Sequence, residues 1–278
     1  MDKQSLLFSA YSLQAYVDCA RRFELTYLEE LSWPAVEREP LLENEKHMAD
    51  GRRFHEMIHR DVLGIPVCEP HGDERGDLLR WWENFRTHRP VNGPGKRFAE
   101  QHLVGSVGGR PLTATCDLIV IDDKKDPCAA RIFDWKTWRR KRSRQWLQTR
   151  LQTRVYPFLL SQIGSGLSGG TNGLDPEKIE MVYWYADFPE AFEVFSYSQI
   201  QFSEDEAYLS DLVEEIMGQE GTFGLTEHEK TCSFCAYRSF CGRGGAAGNT
   251  EKGDEPDCEL YGEEKFLTDI DDYESIAL

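Results

Sequence analysis

The sequence predicts an α/β fold, a mixed central sheet flanked by helices, on three observations. Short apolar runs bounded by turn residues lie mid-chain, at Phe98–Val107, Pro111–Val120, Ala129–Phe133 and Glu180–Tyr185. Segments of helical periodicity stand before, between and after them. At 278 residues and 40% apolar content, the chain can bury one large core or two small ones.

From the N-terminus, Ser9 or Ser12 caps an amphipathic helix with Leu13, Tyr16, Val17, Ala20, Phe23, Tyr27 and Leu28 as apolar positions and Cys19 within it. Trp33–Pro34 ends this helix. A second helix, from about Lys46 to Leu63, carries Met48, Phe54, Met57, Ile58 and Val62 and sets His55 and His59 on one face. Gly51, one turn before His55, leaves room for another backbone or a metal. Leu78, Leu79, Trp81, Trp82 and Phe85 mark a third helix. Phe98–Val107 then opens the sheet and returns through Gly108 and Gly109 into Pro111–Val120. Glu100, near its start, either orients a neighbouring group or is a solvated acid.

A turn at Asp122–Pro127 leads into Ala129–Phe133. Next comes a long helix, Gln145–Gln162, with Leu147, Leu151, Val155, Phe158 and Leu159 as its core face and Pro157 as an irregularity. Gln152 and Tyr156 stack on one side of it. After a Gly/Ser loop, Ile163–Gly173, the strand Glu180–Tyr185 pairs through Asp187–Pro189 with Ala191–Tyr197. Ser203–Met217 forms a late helix.

The chemistry concentrates between Ala114 and Tyr156. Pairing of the strands that carry Asp117 and Asp134 brings the two carboxylates together, and side chains two apart on a strand share a face, so Lys136 joins them while Trp135 turns away. Two close carboxylates repel unless a proton or cation intervenes, and oxygen-rich ligation suits Mg²⁺ or Mn²⁺. Taken singly, each acid also fits a strand end or turn.

The net charge of −17 hides a strong asymmetry. Residues 251–278 hold 11 acids and 2 bases, whereas residues 131–160 hold nine Arg or Lys and one acid, Asp134. The local basic field, Arg139, Arg140, Lys141, Arg142 and Arg144 included, is what a phosphate backbone would meet. Trp138 and Trp146 fit either a core or a base-stacking role.

No stretch reads as a signal peptide or a bilayer span, so a cytoplasmic chain with no membrane partner is expected. In a reducing compartment eight cysteines point to metal rather than disulfides. Cys232, Cys235 and Cys241 supply three ligands from one short segment, for zinc or an iron-sulfur cluster. A fourth comes from Cys258, nearby, or from Cys19, far away.

In this order, the segments S-A-Y-S-L-Q-A-Y-V-D-C (Ser9–Cys19), G-R-R-F-H (Gly51–His55), C-D-L-I (Asp117), D-W-K-T (Asp134–Thr137), Q-T-R-V-Y (Gln152–Tyr156) and C-S-F-C-A-Y-R-S-F-C resemble the RecB-type branch of the PD-(D/E)XK nuclease superfamily. The resemblance is to its iron-sulfur members, the CRISPR-associated exonucleases and the AddB nuclease domain. It implies a restriction-endonuclease-like fold over residues 1–250, with residues 1–45 and 225–245 forming a cluster-binding part and 251–278 an acidic tail. His55, Asp117 and Asp134 would then bind Mg²⁺ or Mn²⁺, with the Trp135 carbonyl as a further ligand. Lys136 would position or deprotonate the attacking water, and Gln152 and Tyr156 would lie on the helix that supports the site and touches DNA. Cys19 would join Cys232, Cys235 and Cys241 around a [4Fe-4S] cluster, linking the N-terminal helix to the C-terminal region.

The implied activity is metal-dependent hydrolysis of single-stranded or end-bearing DNA, by an exonuclease rather than an endonuclease, in repair, recombination or CRISPR adaptation. No Walker A motif is present, so a helicase or a CRISPR adaptation protein is the partner class implied. Two features depart from the pattern: Ala20 stands where members often have proline, and the acidic tail lies outside it. A catalytically silent DNA-binding or scaffold module and a zinc-stabilised protein of another enzymatic class are the alternatives.

Overall fold

Six strands form one mixed sheet: β1 (Phe8–Ser9), β2 (Lys96–Val107), β3 (Arg110–Asp122), β4 (Ala129–Lys136), β5 (Ile179–Tyr185) and β6 (Glu193–Ser196), in the order β1-β3-β4-β5-β6 with β2 beside β3. The computed structural model describes residues 3–32, 39–70, 76–91, 93–122, 124, 129–168 and 174–244. Trp33–Pro34, most of the turn before β4, Cys258 and the acidic segment 251–278 lie outside the described residues.

Gly108 and Gly109, at φ of 56° and 70°, make the two-residue turn that sets Val107 against Arg110 and fixes the antiparallel register of β2 on β3. β4 runs antiparallel to β3, β5 is parallel to β4, and β6 returns antiparallel.

Two compact units divide the chain. The larger comprises residues 7–10 and 53–218, and the smaller comprises 1–6, 11–52 and 219–278.

In the larger unit the pleat sends Leu118, Phe133, Trp135, Val182 and Trp184 to one face of the sheet. There they meet Phe54, Met57 and Ile58 of α3 (Glu39–Val62) and Leu78, Trp81, Trp82 and Phe85 of α4 (Asp77–His88). Each such side chain contributes on the order of 1.5–3 kcal/mol by leaving water. Further along the chain, α6 (Leu151–Ile163) packs on β2, β3 and β5, and α8 (Gln199–Gly218) on β2 and α6. α6 lies close over Gly105, where a Cβ would meet the side-chain ends of Leu159 and Gln162, at 2.7 Å from Cδ2 and 2.6 Å from Oε1. Gln162 Nε2 donates to the Ser106 carbonyl there at 3.1 Å.

The expected helix Gln145–Gln162 is two helices, α5 (Arg144–Thr149) and α6, parted at Arg150, whose ψ of 138° is extended. Local competition explains the break. The Thr149 hydroxyl donates to the Trp146 carbonyl and the Thr153 hydroxyl to the Leu147 carbonyl, satisfying the end of α5. Pro157, expected to disturb the helix, is carried inside α6. The segment expected as a Gly/Ser loop begins with a helical turn, α7 (Ser165–Ser168).

In the smaller unit the expected N-terminal helix also breaks. α1 (Ala10–Asp18), which reaches into this unit from Tyr11 onward, and α2 (Ala20–Phe23) are separated by Cys19, extended at φ −165° and ψ 107°, and a π-helical turn, Glu24–Leu28, follows. Tyr16, Phe23 and Phe223 pack as an aromatic trio. The Arg21 N–H donates to the Gly224 carbonyl at 3.0 Å, the Phe223 N–H to Glu24 Oε2 at 2.9 Å, and the Tyr237 hydroxyl to the Leu31 carbonyl at 3.0 Å. Among the described residues no helix is long and apolar enough to cross a membrane.

Candidate active site

On the sheet face opposite the aromatic cluster, polar side chains gather around the middle of β2 and β3 and the C-terminal end of β4. β3 and β4 pair Leu118 with Phe133, and the same register carried one residue on sets Asp117 beside Asp134. The Trp135 N–H donates to Asp117 Oδ2 at 2.7 Å, while the Trp135 indole lies in the core as the alternation requires.

Lys136 Nζ lies 2.6 Å from Asp134 Oδ2 and donates to Gln152 Oε1 at 2.9 Å; Gln152 Nε2 donates back to Asp134 Oδ1. With Asp134 4%, Lys136 3% and Gln152 6% exposed, this is a buried ion pair closed by one amide. Such a pair persists only when further hydrogen bonds satisfy its charges, and Gln152 serves both partners. The ammonium also sits over two aromatic rings, 5.1 Å from the Trp138 centroid and 5.3 Å from that of Tyr183. Tyr156, one turn beyond Gln152 on α6, is 1% exposed.

His55 reaches the same place from α3, with Nδ1 3.1 Å from Asp117 Oδ1. Glu100 arrives from β2. Ligand atoms of His55, Glu100 and Asp117 all lie within 4.8 Å of one another, a spacing that one ion can bridge. At Glu100 the backbone is left-handed, φ 47°, and the β2–β3 pairing skips it between Ala99–Leu118 and Gln101–Cys116. A bulky residue in that conformation inside a strand is strained, and such strain collects at functional sites.

The electrostatics of an acid cluster follow. Burial disfavours charged His55, but Asp117, Glu100 and Asp134 outweigh it and raise the imidazole to about 9. Burial, then Asp117 and Asp134, raise Glu100 to about 8. For Asp117 burial is outweighed by His55, the Trp135 N–H and Lys136, which hold it below the usual carboxylate range. The site therefore holds protons where a divalent cation would sit. His55, Glu100 and Asp117 with neighbouring Asp134 make a hard, oxygen-rich donor set with one imidazole, fitting Mg²⁺ or Mn²⁺.

Of the residues expected in the site, His55, Asp117, Asp134, Lys136 and Gln152 are brought together, and Glu100 joins them. The basic run is less uniform than its sequence suggests. Lys141 Nζ and Arg144 Nη1 contact the two oxygens of Glu193 at 2.8 and 3.1 Å, so both are charge-paired. Trp138, 8% exposed, is unavailable for base stacking.

The smaller unit holds the second constellation. Cys19 interacts electrostatically with Cys232, Cys235 and Cys241, and the extended break at Cys19 is where the helical run yields to it. Burial raises all three C-terminal thiols, Cys235 to about 11, while Arg21, Arg22, Arg238 and Arg243 pull them back. Among the described residues no three of the sulfurs close to within 4.8 Å of one another.

The PD-(D/E)XK nuclease superfamily model matches residues 7–242, and the mixed sheet flanked by helices fits the restriction-endonuclease-like fold. No curated protein matches. Similar solved structures include a protein designated SSO0001, 18% identical over 60% of this chain and 70% of that one, with a TM-score of 0.33. Another, from Eubacterium rectale and described as a candidate exonuclease, is 10% identical over 82% of this chain and 86% of that one, with a TM-score of 0.46.

Proposed function

We infer that this chain, which belongs to the PD-(D/E)XK nuclease superfamily, is a Mg²⁺- or Mn²⁺-dependent deoxyribonuclease, acting as an exonuclease on single-stranded or end-bearing DNA. One observation carries the reading: His55, Glu100 and Asp117 form a cation-sized cradle beside the closed Asp134–Lys136–Gln152 triad. His55, Glu100, Asp117 and Asp134, with the Trp135 carbonyl, are the groups that would hold the ion. A divalent cation bound there supplies Lewis acidity toward the scissile phosphate and lowers the pKa of its water.

The chain's own residues do the rest. Gln152 locks Asp134 and Lys136 in one arrangement, so the ammonium is aimed before substrate arrives. Lys136 then offers a fixed positive charge to the phosphate oxygens and can orient the attacking water by donating to it. His55 and Asp117 hold each other's orientation across two elements. Arginines following β4 attract the strand through its phosphates, with little base preference.

Cys19, Cys232, Cys235 and Cys241 are proposed to hold a [4Fe-4S] cluster that ties residues 1–45 to 225–245. Such a centre would supply cross-linking of the two segments. Cellular setting is proposed as cytoplasmic DNA repair, recombination or CRISPR adaptation, beside a helicase or adaptation protein.

The test is anaerobic purification with iron and sulfide analysis, then incubation with single- and double-stranded DNA and Mg²⁺ or Mn²⁺. Cation-dependent release of nucleotides from DNA ends is expected. Tight DNA binding with no cleavage would favour the silent binding module.

A further inference from the structure

Resting on that reading of a DNA phosphodiesterase, we propose that Trp146 is a positioning residue that holds Arg142 and Arg150 as a phosphate-grasping pair beside the active site, and is not a platform for bases. The three residues are spaced four apart. Arg142 precedes Ser143, the N-cap of α5, and Arg150 is the extended residue between α5 and α6. Both side chains thus leave irregular backbone, with no continuous helix face to lie on. Each guanidinium lies instead over the Trp146 indole, 5.3 Å from the centroid for Arg142 and 4.7 Å for Arg150.

Stacking restricts a long side chain that otherwise samples many rotamers, and the planar fork of a guanidinium matches phosphate oxygens. Trp146 is also tied to the catalytic end of the sheet. Its ring meets Trp138 edge-on at 5.6 Å, and the Trp138 ring lies under the Lys136 ammonium at 5.1 Å. Two aromatic rings therefore separate the lysine from the arginine pair. Two guanidiniums and the Trp138 ring are thus gathered about the half-buried indole, and a base stacking on it would compete with them.

The experiment measures binding of a fluorescent single-stranded oligonucleotide across salt concentrations for the full-length wild type, Trp146→Leu, Trp146→Phe, Arg142→Gln/Arg150→Gln and the triple variant with Trp146→Leu. Each phosphate contact on a single strand contributes about 0.7 to the log-log salt slope, so the double arginine variant should lose about 1.4. Trp146→Leu should lose a similar slope although it removes no charge, Trp146→Phe should retain most of it, and the triple variant should bind no more weakly than the double. In cleavage assays KM should rise by a larger factor than kcat falls.

Weaker binding by Trp146→Leu at unchanged slope, or a loss that adds in full to that of the arginines, would make Trp146 a base platform and overturn the proposal. Should Trp146→Leu fail to fold, the double arginine variant decides, since an unchanged slope there overturns the proposal alone. A wild type that binds with this arginine dependence yet never cleaves defeats the nuclease reading while supporting this one. A wild type that cleaves while the arginine variant keeps its full slope does the reverse.

Discussion

His55 Nδ1 and Asp117 Oδ1 lie 3.1 Å apart although 62 positions separate the two residues, and the contact joins helix α3 to the middle of strand β3. A cation must displace the protons that this cluster holds. With His55 raised to about 9 and Glu100 to about 8, binding of Mg²⁺ or Mn²⁺ at neutral pH should release protons. Calorimetric titration in buffers of differing ionisation enthalpy should show a heat that tracks the buffer; buffer-independent heats would place the ion elsewhere.

The same shifts set how the metal-free protein responds to pH. His55 is raised above its ordinary 6.5, so its contribution to stability is full below pH 6.5 and is lost as pH climbs through about 9. Glu100 is raised from 4.5 to about 8 and acts in the same direction over that range. Denaturation of EDTA-treated protein should therefore become easier from pH 6.5 to 9, and saturating Mg²⁺ should remove most of that dependence. Metal-free stability that rises over this window would contradict the arrangement of charges.

Much of this cluster was legible beforehand, and what was missed had a signal. Alternation along β4 put Asp134 and Lys136 on one face and Trp135 on the other, as observed. By sequence alone Glu100 fits either an orienting or a solvated role. Yet the two-residue Gly108–Gly109 turn sets Val107 against Arg110, and counting back along that register brings Glu100 opposite Asp117. Its left-handed backbone could not be read, because tertiary contacts impose it against the residue's preference.

The helix breaks were hidden for a different reason. Apolar periodicity continues through Cys19 and through Arg150, and a break that preserves the buried face leaves the pattern intact. Glu193, which pairs Lys141 and Arg144, is far away in sequence, so the basic run looked uniform.

Gln152 should matter more than its neutral side chain suggests. Replacement by Ala leaves buried Asp134 Oδ1 and the Lys136 ammonium each one hydrogen bond short, which should cost about 1–3 kcal/mol of stability. Activity should fall about 10- to 100-fold, as for other groups that orient a metal ligand. Thermal denaturation and cleavage rates check both, and wild-type values in the Ala variant would show that Asp134 and Lys136 are held without it.

The cysteine assignment makes its own prediction. Cys19→Ser should lose brown colour, iron and sulfide together and expose both the N-terminal and C-terminal segments to protease, because in the proposed ligand set Cys19 would be the thiol that ties the N-terminal segment to the Cys232–Cys241 loop. Cys258→Ser should keep its cluster. Zinc without acid-labile sulfide in the wild type, or colour lost only in the Cys258 variant, would reject this ligand set.

Most directly at stake is whether the buried Asp134, shared between Lys136 and Gln152, belongs to a site that cuts DNA. The deciding measurement compares cleavage of end-labelled single-stranded DNA by the wild type and Asp134→Asn at equal Mn²⁺, both free of contaminating nuclease and checked for folding. Cleavage by the wild type only with the cation, and a loss beyond about 100-fold in the folded variant with DNA binding retained, is the expected result. An Asp134→Asn protein that cleaves at the wild-type rate would contradict it.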